Sequence, residues 1–314
     1  MWWLYIILIS YLILSLSNIV DKIFLSKLVT DSIVYALWVS ILSVIVVAVY
    51  ALHGVINPAI YDPTSPIGPL TVMSPFYLVL AIGIGILFTF SIYLLYTALQ
   101  KGEASRVIPM IGGSMPILIY AMTFSHDYLD SNKTIAFILL VAGTILISLM
   151  PKGARKKKRN YDSLLALAAS FSFALFFVLT QFLFSEQGFV NGIVWPRLGS
   201  GFAVIFLLAF PRVRRLMADS LKPLSGHVRA LWLSSQGLGA LGFLGQQYVI
   251  SIPHVSVALV SALQAVQYVF ILIFAVLMSR FRPSLLRESM SIGIVAQKIA
   301  ALCIIGIGLY FIAL

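Results

Sequence analysis

Ten long apolar runs separated by short polar connections organise the chain, near residues 2 to 20, 32 to 51, 75 to 99, 104 to 125, 133 to 150, 163 to 184, 190 to 210, 229 to 250, 255 to 279 and 290 to 314. A hydrocarbon core about 30 Å thick is crossed by about 20 residues of helix, so each run is of spanning length. None shows the period-2 alternation of a membrane barrel, and in lipid a continuous helix satisfies its own backbone. The pattern therefore predicts an all-α integral membrane protein with ten transmembrane helices. The first run has no basic residue before it and no small-x-small cleavage pattern after it, so it reads as a retained helix and not as a signal peptide.

Composition agrees: 61% of the 314 residues are hydrophobic and 10% charged, where a soluble chain carries about a quarter. That excludes a water-soluble fold. Cys303 is the single cysteine, which excludes an internal disulfide framework, a cysteine-ligated zinc site and a two-thiol redox centre. The net charge of +11 and the run Arg155 to Arg159 would suit nucleic acid if read alone. Lying between two apolar runs, however, the basic stretch is placed to hold a loop in the cytoplasm and to meet anionic lipid. The expected partners are the bilayer and a small molecule, with no nucleic acid.

Lysine and arginine set the orientation, because cytoplasmic loops are enriched in both. Eighteen of the 21 fall in odd-numbered connections, Lys133 and Arg197 are assigned to even-numbered ones, and Lys298 lies inside the last run. Residues 151 to 160 are thus expected in the cytoplasm and both termini outside. The connection 52 to 74 has Pro58, Pro63, Pro66 and Pro69 and no lysine or arginine, as suits an external segment.

The two halves correspond weakly but in order. Asp21-Lys22-Ile23-Phe24-Leu25-Ser26 matches Thr180-Gln181-Phe182-Leu183-Phe184-Ser185, Trp38 matches Trp195, Ser105 matches Ser256 and Gly143 matches Gly306. Because each half has an odd number of runs, the second enters the membrane from the opposite side. The division is residues 1 to 150, a basic linker at 151 to 162, and residues 163 to 314. Inverted repeats with a site near the midplane are the architecture of secondary transporters.

The stretch Tyr96-Thr-Ala-Leu-Gln-Lys-Gly-Glu-Ala-Ser105-Arg-Val-Ile-Pro109, continuing to Pro116 and Gly143, resembles the EamA-type module of the drug/metabolite transporter superfamily. A second copy runs from Gly245-Gln-Gln-Tyr248 through Ser256 and Gln267 to Gly306. The resemblance covers nearly the whole chain. It implies two five-helix repeats around a central cavity, and movement of small metabolites across a plasma or inner membrane. This chain has Gln267 where its first copy has Pro116, and its loop charges put outside the termini that most relatives keep in the cytoplasm.

Candidate chemistry lies at polar residues within the runs. In the first, Ser10, Ser17 and Asp21 share an arc, with Lys22 beside it. They mark either a substrate pathway or a pair snorkelling to water at the cytoplasmic end. In the third, Thr89, Tyr93, Tyr96 and Gln100 share a face, which suits a ligand or, for tyrosines near a helix end, an interfacial belt. The fourth has Pro109, Gly112, Gly113 and Pro116, and the expectation is a kink or break; close helix packing is the alternative. In the eighth and ninth runs, Gln236 and Gln247, with Gln246 at the margin, and Gln264, Gln267 and Tyr268 form polar faces that suit either a cavity or helix-to-helix hydrogen bonds.

Gly237-Leu-Gly239-Ala-Leu-Gly242 satisfies a literal dinucleotide fingerprint, but no strand precedes it and no acidic residue follows about 20 positions on, so it reads as helix packing. His126 and His254 lie at helix ends, and neither a His-Glu-x-x-His nor a Walker A pattern occurs. No cofactor or metal is expected. The expectation is a secondary transporter of small organic metabolites and not an enzyme; the rival is a membrane enzyme acting on a lipid or lipid-linked substrate, for which the ten acidic residues are scattered.

Overall fold

The computed structural model describes residues 2–27, 31–56, 70–101, 104–124, 129–148, 160–220, 225–281 and 292–314. Most of the expected external segment 52 to 74, nearly all of the basic linker and most of the last basic loop lie outside the described residues. Among those described, every regular element is helical: α1 (Trp2–Lys27), α2 (Ser32–Ile56), α3 (Pro75–Lys101), α4 (Ala104–Thr123), α5 (Ser131–Ser148), α6 (Asn160–Leu208), α7 (Pro211–Ser220), α8 (Gly226–Ser251), α9 (Val257–Ala262), α10 (Gln264–Phe281) and α11 (Ile292–Ala313). Among the described residues, five segments are long and apolar enough to cross a membrane: Trp2–Asp21, Pro75–Lys101, Ser163–Leu208, Val257–Phe274 and Ala296–Ala313. Large apolar side chains such as Val79 and Ile205 point outward, 70% and 68% exposed. Such a surface suits hydrocarbon and not water. The described residues form an all-α structure with several long apolar helices that could span a membrane.

The sixth and seventh runs are joined into α6, which doubles back at Gly188 (φ 75°, ψ 170°). That left-handed φ is cheap for glycine and strained for other residues. The neighbours show the reversal. Along the first arm, Ser172 pairs with Ser91 (2.6 Å) and Glu186 accepts from Tyr77 (2.9 Å), so this arm is antiparallel to α3. Along the second, Asn191 Oδ1 accepts from the Thr71 N–H (3.0 Å) and Ser200 Oγ donates to the Gly85 carbonyl (3.0 Å), so this arm runs parallel to it.

Arg197, assigned above to a connection, lies within the second arm and is buried. One charge does not stop an apolar helix, and counting basic residues by loop misplaced it. The short α7 was not foreseen. It is amphipathic, with Val213 and Met217 buried and Arg212, Arg214 and Arg215 exposed. The ninth run is two helices, α9 and α10, meeting at Leu263; Ser256 caps α9 by accepting from the Leu259 N–H (3.0 Å).

Of the readings of the fourth run, a break is not found: α4 is one helix through Pro109, Gly112, Gly113 and Pro116. Each internal proline forfeits one backbone hydrogen bond, which surrounding helices can outweigh. The glycines serve packing. A Cβ on Gly112 would strike the Tyr268 ring, and one on Gly113 would press Ile145.

Small residues also bring the other helices together. Gly85 on α3 and Gly199 on α6 abut each other's helix backbone, at Pro196 and Ile82. On α8, Gly239 meets Ser17 and Gly242 meets Leu14 and Ser10, so two of the three fingerprint glycines lie in an antiparallel seam with α1, while Gly237 has nothing within 4 Å. Gly143 on α5 meets Ile305 and Ala301 of α11, while Gly308 meets Leu140, Leu139 and Ala136.

Candidate functional site

Between these seams lies a cavity of about 1370 Å³, walled by α1, α2, α3, α4, both arms of α6, α8 and the start of α10. The packing explains its position. The α1–α8 and α3–α6 seams hold the helices together on either side, and larger side chains project between them. The cavity reaches the bundle's end at Gln100 and Lys101, in the last turn of α3. At the other end, contacts among the described residues draw the helices together. Asn191 Nδ2 and Trp195 Nε1 donate to the hydroxyl and carbonyl of Thr71 (2.9 and 3.0 Å), and the Tyr248 ring packs against Phe189 (5.4 Å) and Trp2 (6.1 Å).

Of the residues singled out in the sequence, Asp21, Tyr96, Gln236, Gln264, Gln267 and Tyr268 line the cavity. The Asp21 carboxylate turns inward. Its Oδ1 accepts from Tyr35 Oη (2.6 Å) and Gln236 Nε2 (2.7 Å), and Tyr35 Oη also accepts from Trp232 Nε1 (3.2 Å). The edge of Tyr35 faces Tyr96, with ring centroids 4.6 Å apart. This cluster ties α1, α2, α3 and α8 around one acid. The side chains of Lys22 and Pro109 lie outside the described residues.

Tyr93 is half-buried and packed into the apolar core, away from the cavity wall, so the helical face of the third run divides between core and cavity. Gln247 is buried but does not line the cavity; Gln246, placed at the margin, does, and donates to Tyr11 Oη (3.4 Å). One position is a 100° rotation, enough to exchange wall for core. The serine stripe of α1 also divides. Ser17 reaches the cavity while donating to the Ser235 carbonyl (3.0 Å), whereas Ser10 bonds Ile6 O in its own helix (2.7 Å). Gly112, Gly113 and Pro116 are absent from the wall.

The sequence reading missed the most distinctive residue. Arg197, 6% exposed, lines the cavity over the adjacent rings of Phe88 and Phe243, its guanidinium carbon 5.0 and 5.2 Å from their centroids. No carboxylate or hydrogen-bond acceptor among the described residues engages it. The buried carbonyl oxygens of Gln264 and Gln267, like that of Gln247 behind the wall, also lack a partner among the described residues. A signal was available: the register matching Trp38 with Trp195 sets Arg197 against Ser40, a charge in one half where the other has a hydroxyl. Such a cavity can hold a small organic molecule and offers it a fixed positive charge, a carboxylate, amides and aromatic faces.

No family model and no curated protein sequence matches the chain. Twenty-eight chains of solved structures do. One, described in the words "Crystal structure of protein", superposes with a TM-score of 0.63 at 16% identity, over 97% of this chain and 94% of the other. At that identity the likeness is of fold alone.

Proposed function

We propose that the protein is a secondary transporter of small organic metabolites, of the EamA type in the drug/metabolite transporter superfamily, working by alternating access. The observation that carries this reading is the cavity: open at one end of an apolar helical bundle, with the helices drawn together at the other, and polar at mid-depth. A soluble-type binding pocket does not require a path through a bilayer; a transporter requires a site reachable from each side in turn.

The packing supports an inverted repeat of ten spans, counting the arms of α6 as two and α9 with α10 as one. Phe88 on α3 packs against Phe176 on the first arm of α6 (5.2 Å). The sequence register sets Phe88 against Gly239 and Phe176 against Ser17, and those two residues also meet, across the α8–α1 seam. Each half therefore gives its third helix to the first helix of the other. The α5–α11 pair, last helix with last helix, fits the same two-fold relation. The charge distribution supports a cytoplasmic location for the open end, since α3 ends there beside the basic connections.

The test is a thermal-shift screen of the purified protein against metabolites, because a ligand of the folded state raises its melting temperature. Flux of the hits into sealed proteoliposomes follows. Gradient-driven or exchange flux that requires the protein is the expected result. Chemical conversion of a bound lipid without flux would instead identify an enzyme.

A further inference from the structure

The structure assigns a carboxylate site to Arg197: we propose that the cavity takes a small organic monocarboxylate with an apolar or aromatic body. This rests on the transport reading and names its substrate class. Arg197 lies nine residues beyond the Gly188 turn, which at about 1.5 Å per residue is roughly 14 Å, about half the depth of the hydrocarbon core. An arginine at that depth is costly and stays charged, so it is kept where a partner meets it. A purely structural buried arginine finds that partner in the protein, as a carboxylate or a set of carbonyls. Here the protein supplies two ring faces. Neither ring is a hydrogen-bond acceptor of the carbonyl or carboxylate kind, so the guanidinium keeps N–H donors for a planar, bidentate acceptor.

The surroundings fix the rest of the ligand. Lys101 stands exposed at the mouth and Asp21 is held by Tyr35 and Gln236, so Arg197 is the buried cation of the wall that no acceptor among the described residues engages. That matches a monoanion; a phosphate dianion would keep a charge uncompensated beside phenylalanines. Phe88 and Phe243, with centroids 5.6 Å apart, offer an apolar wall beside the charge. The unpartnered oxygens of Gln264 and Gln267 would accept from a hydroxyl, amide or ammonium elsewhere on the ligand. Asp21 does not compete for the guanidinium, being engaged by Tyr35 and Gln236.

The experiment uses matched probes on the full chain in detergent: 3-phenylpropionate, its amide, 3-phenylpropylamine and phenyl phosphate, with hexanoate, hexanamide and hexylamine as an aliphatic set. Affinities come from calorimetry and melting temperatures from thermal shift. At least one acid should bind, with its amide and amine weaker by tenfold or more, and Arg197→Gln should weaken the acid by about thirtyfold or more. Arg197→Lys, which keeps the charge without the fork, should lose part of the affinity and serves if the glutamine variant fails to fold. Arg197→Met should melt higher than wild type without ligand, because it removes an unpaired buried charge; a structural arginine would give a lower melting temperature. The proposal is overturned if no acid binds, if amide, amine or phosphate binds as well as its acid, or if the acid binds Arg197→Gln unchanged. An amine or amide carried across vesicles would overturn it and leave transport standing. Acids that bind at Arg197 but never cross would leave it standing and end the transport reading.

Discussion

Asp21 and the glutamines show how far single residues can be placed from sequence. An acid in an apolar helix is costly enough to be noticed, and Asp21 does face the cavity, held by Tyr35 and Gln236. What the sequence could not show is that its partners come from α2 and α8, since those contacts exist only after the helices meet. Asp21→Asn should impair transport with normal insertion and abundance; a variant that keeps the wild-type response to an imposed proton gradient would remove Asp21 as a coupling residue. Gln264 and Gln267 are placed on the wall by helical periodicity alone. Replacing either by leucine should weaken ligand binding by roughly 1 to 3 kcal/mol, the cost of leaving a ligand's polar group unpaired in a dry site. Unchanged affinity with a lowered melting temperature would make them helix-to-helix glue. Tyr93 and Gln247 went to the core because a helix face is wide, and a residue at its edge is assigned by neighbours that periodicity does not name.

Among the elements, long apolar runs were legible and their interruptions were not. Gly188 ends one arm and begins the next with a single left-handed residue, while two prolines in α4 leave its helix whole. Breaks follow from what surrounds the backbone, so proline content alone does not place them. Gly188→Ala should lower stability by about 1 to 3 kcal/mol through backbone strain, although nothing lies within 4 Å to obstruct its Cβ. Gly85→Ala or Gly199→Ala should lower it by about 1 to 3 kcal/mol by forcing α3 and α6 apart. Gly83→Ala, equally helical and with nothing within 4 Å, is the control and should be neutral or slightly stabilising. Thermal melting in detergent measures all four variants, and equal melting of the Gly83 and Gly85 variants would refute the close seam.

For the whole molecule, fold class was legible because 61% hydrophobic residues in bilayer-length runs admit few solutions. The cavity was not, since it is the space between seams set by small residues whose partners lie more than a hundred positions away. Orientation rests on loop charge, and with Arg197 inside the bundle Lys133 is the remaining basic residue assigned to an external connection. A reporter fused after Leu314 that fluoresces only in the cytoplasm should stay dark, whereas bright cells would invert the orientation.

Alternating access requires the far end to open, where the Thr71–Asn191 contact draws the helices together. The most direct measurement is flux, in proteoliposomes, of a ligand found in the screen, through a Thr71→Cys/Asn191→Cys pair made in a Cys303→Ala background. Oxidation should abolish flux while binding from the open end persists, and reduction should restore it. Flux undiminished by a completed cross-link would contradict alternating access through this cavity.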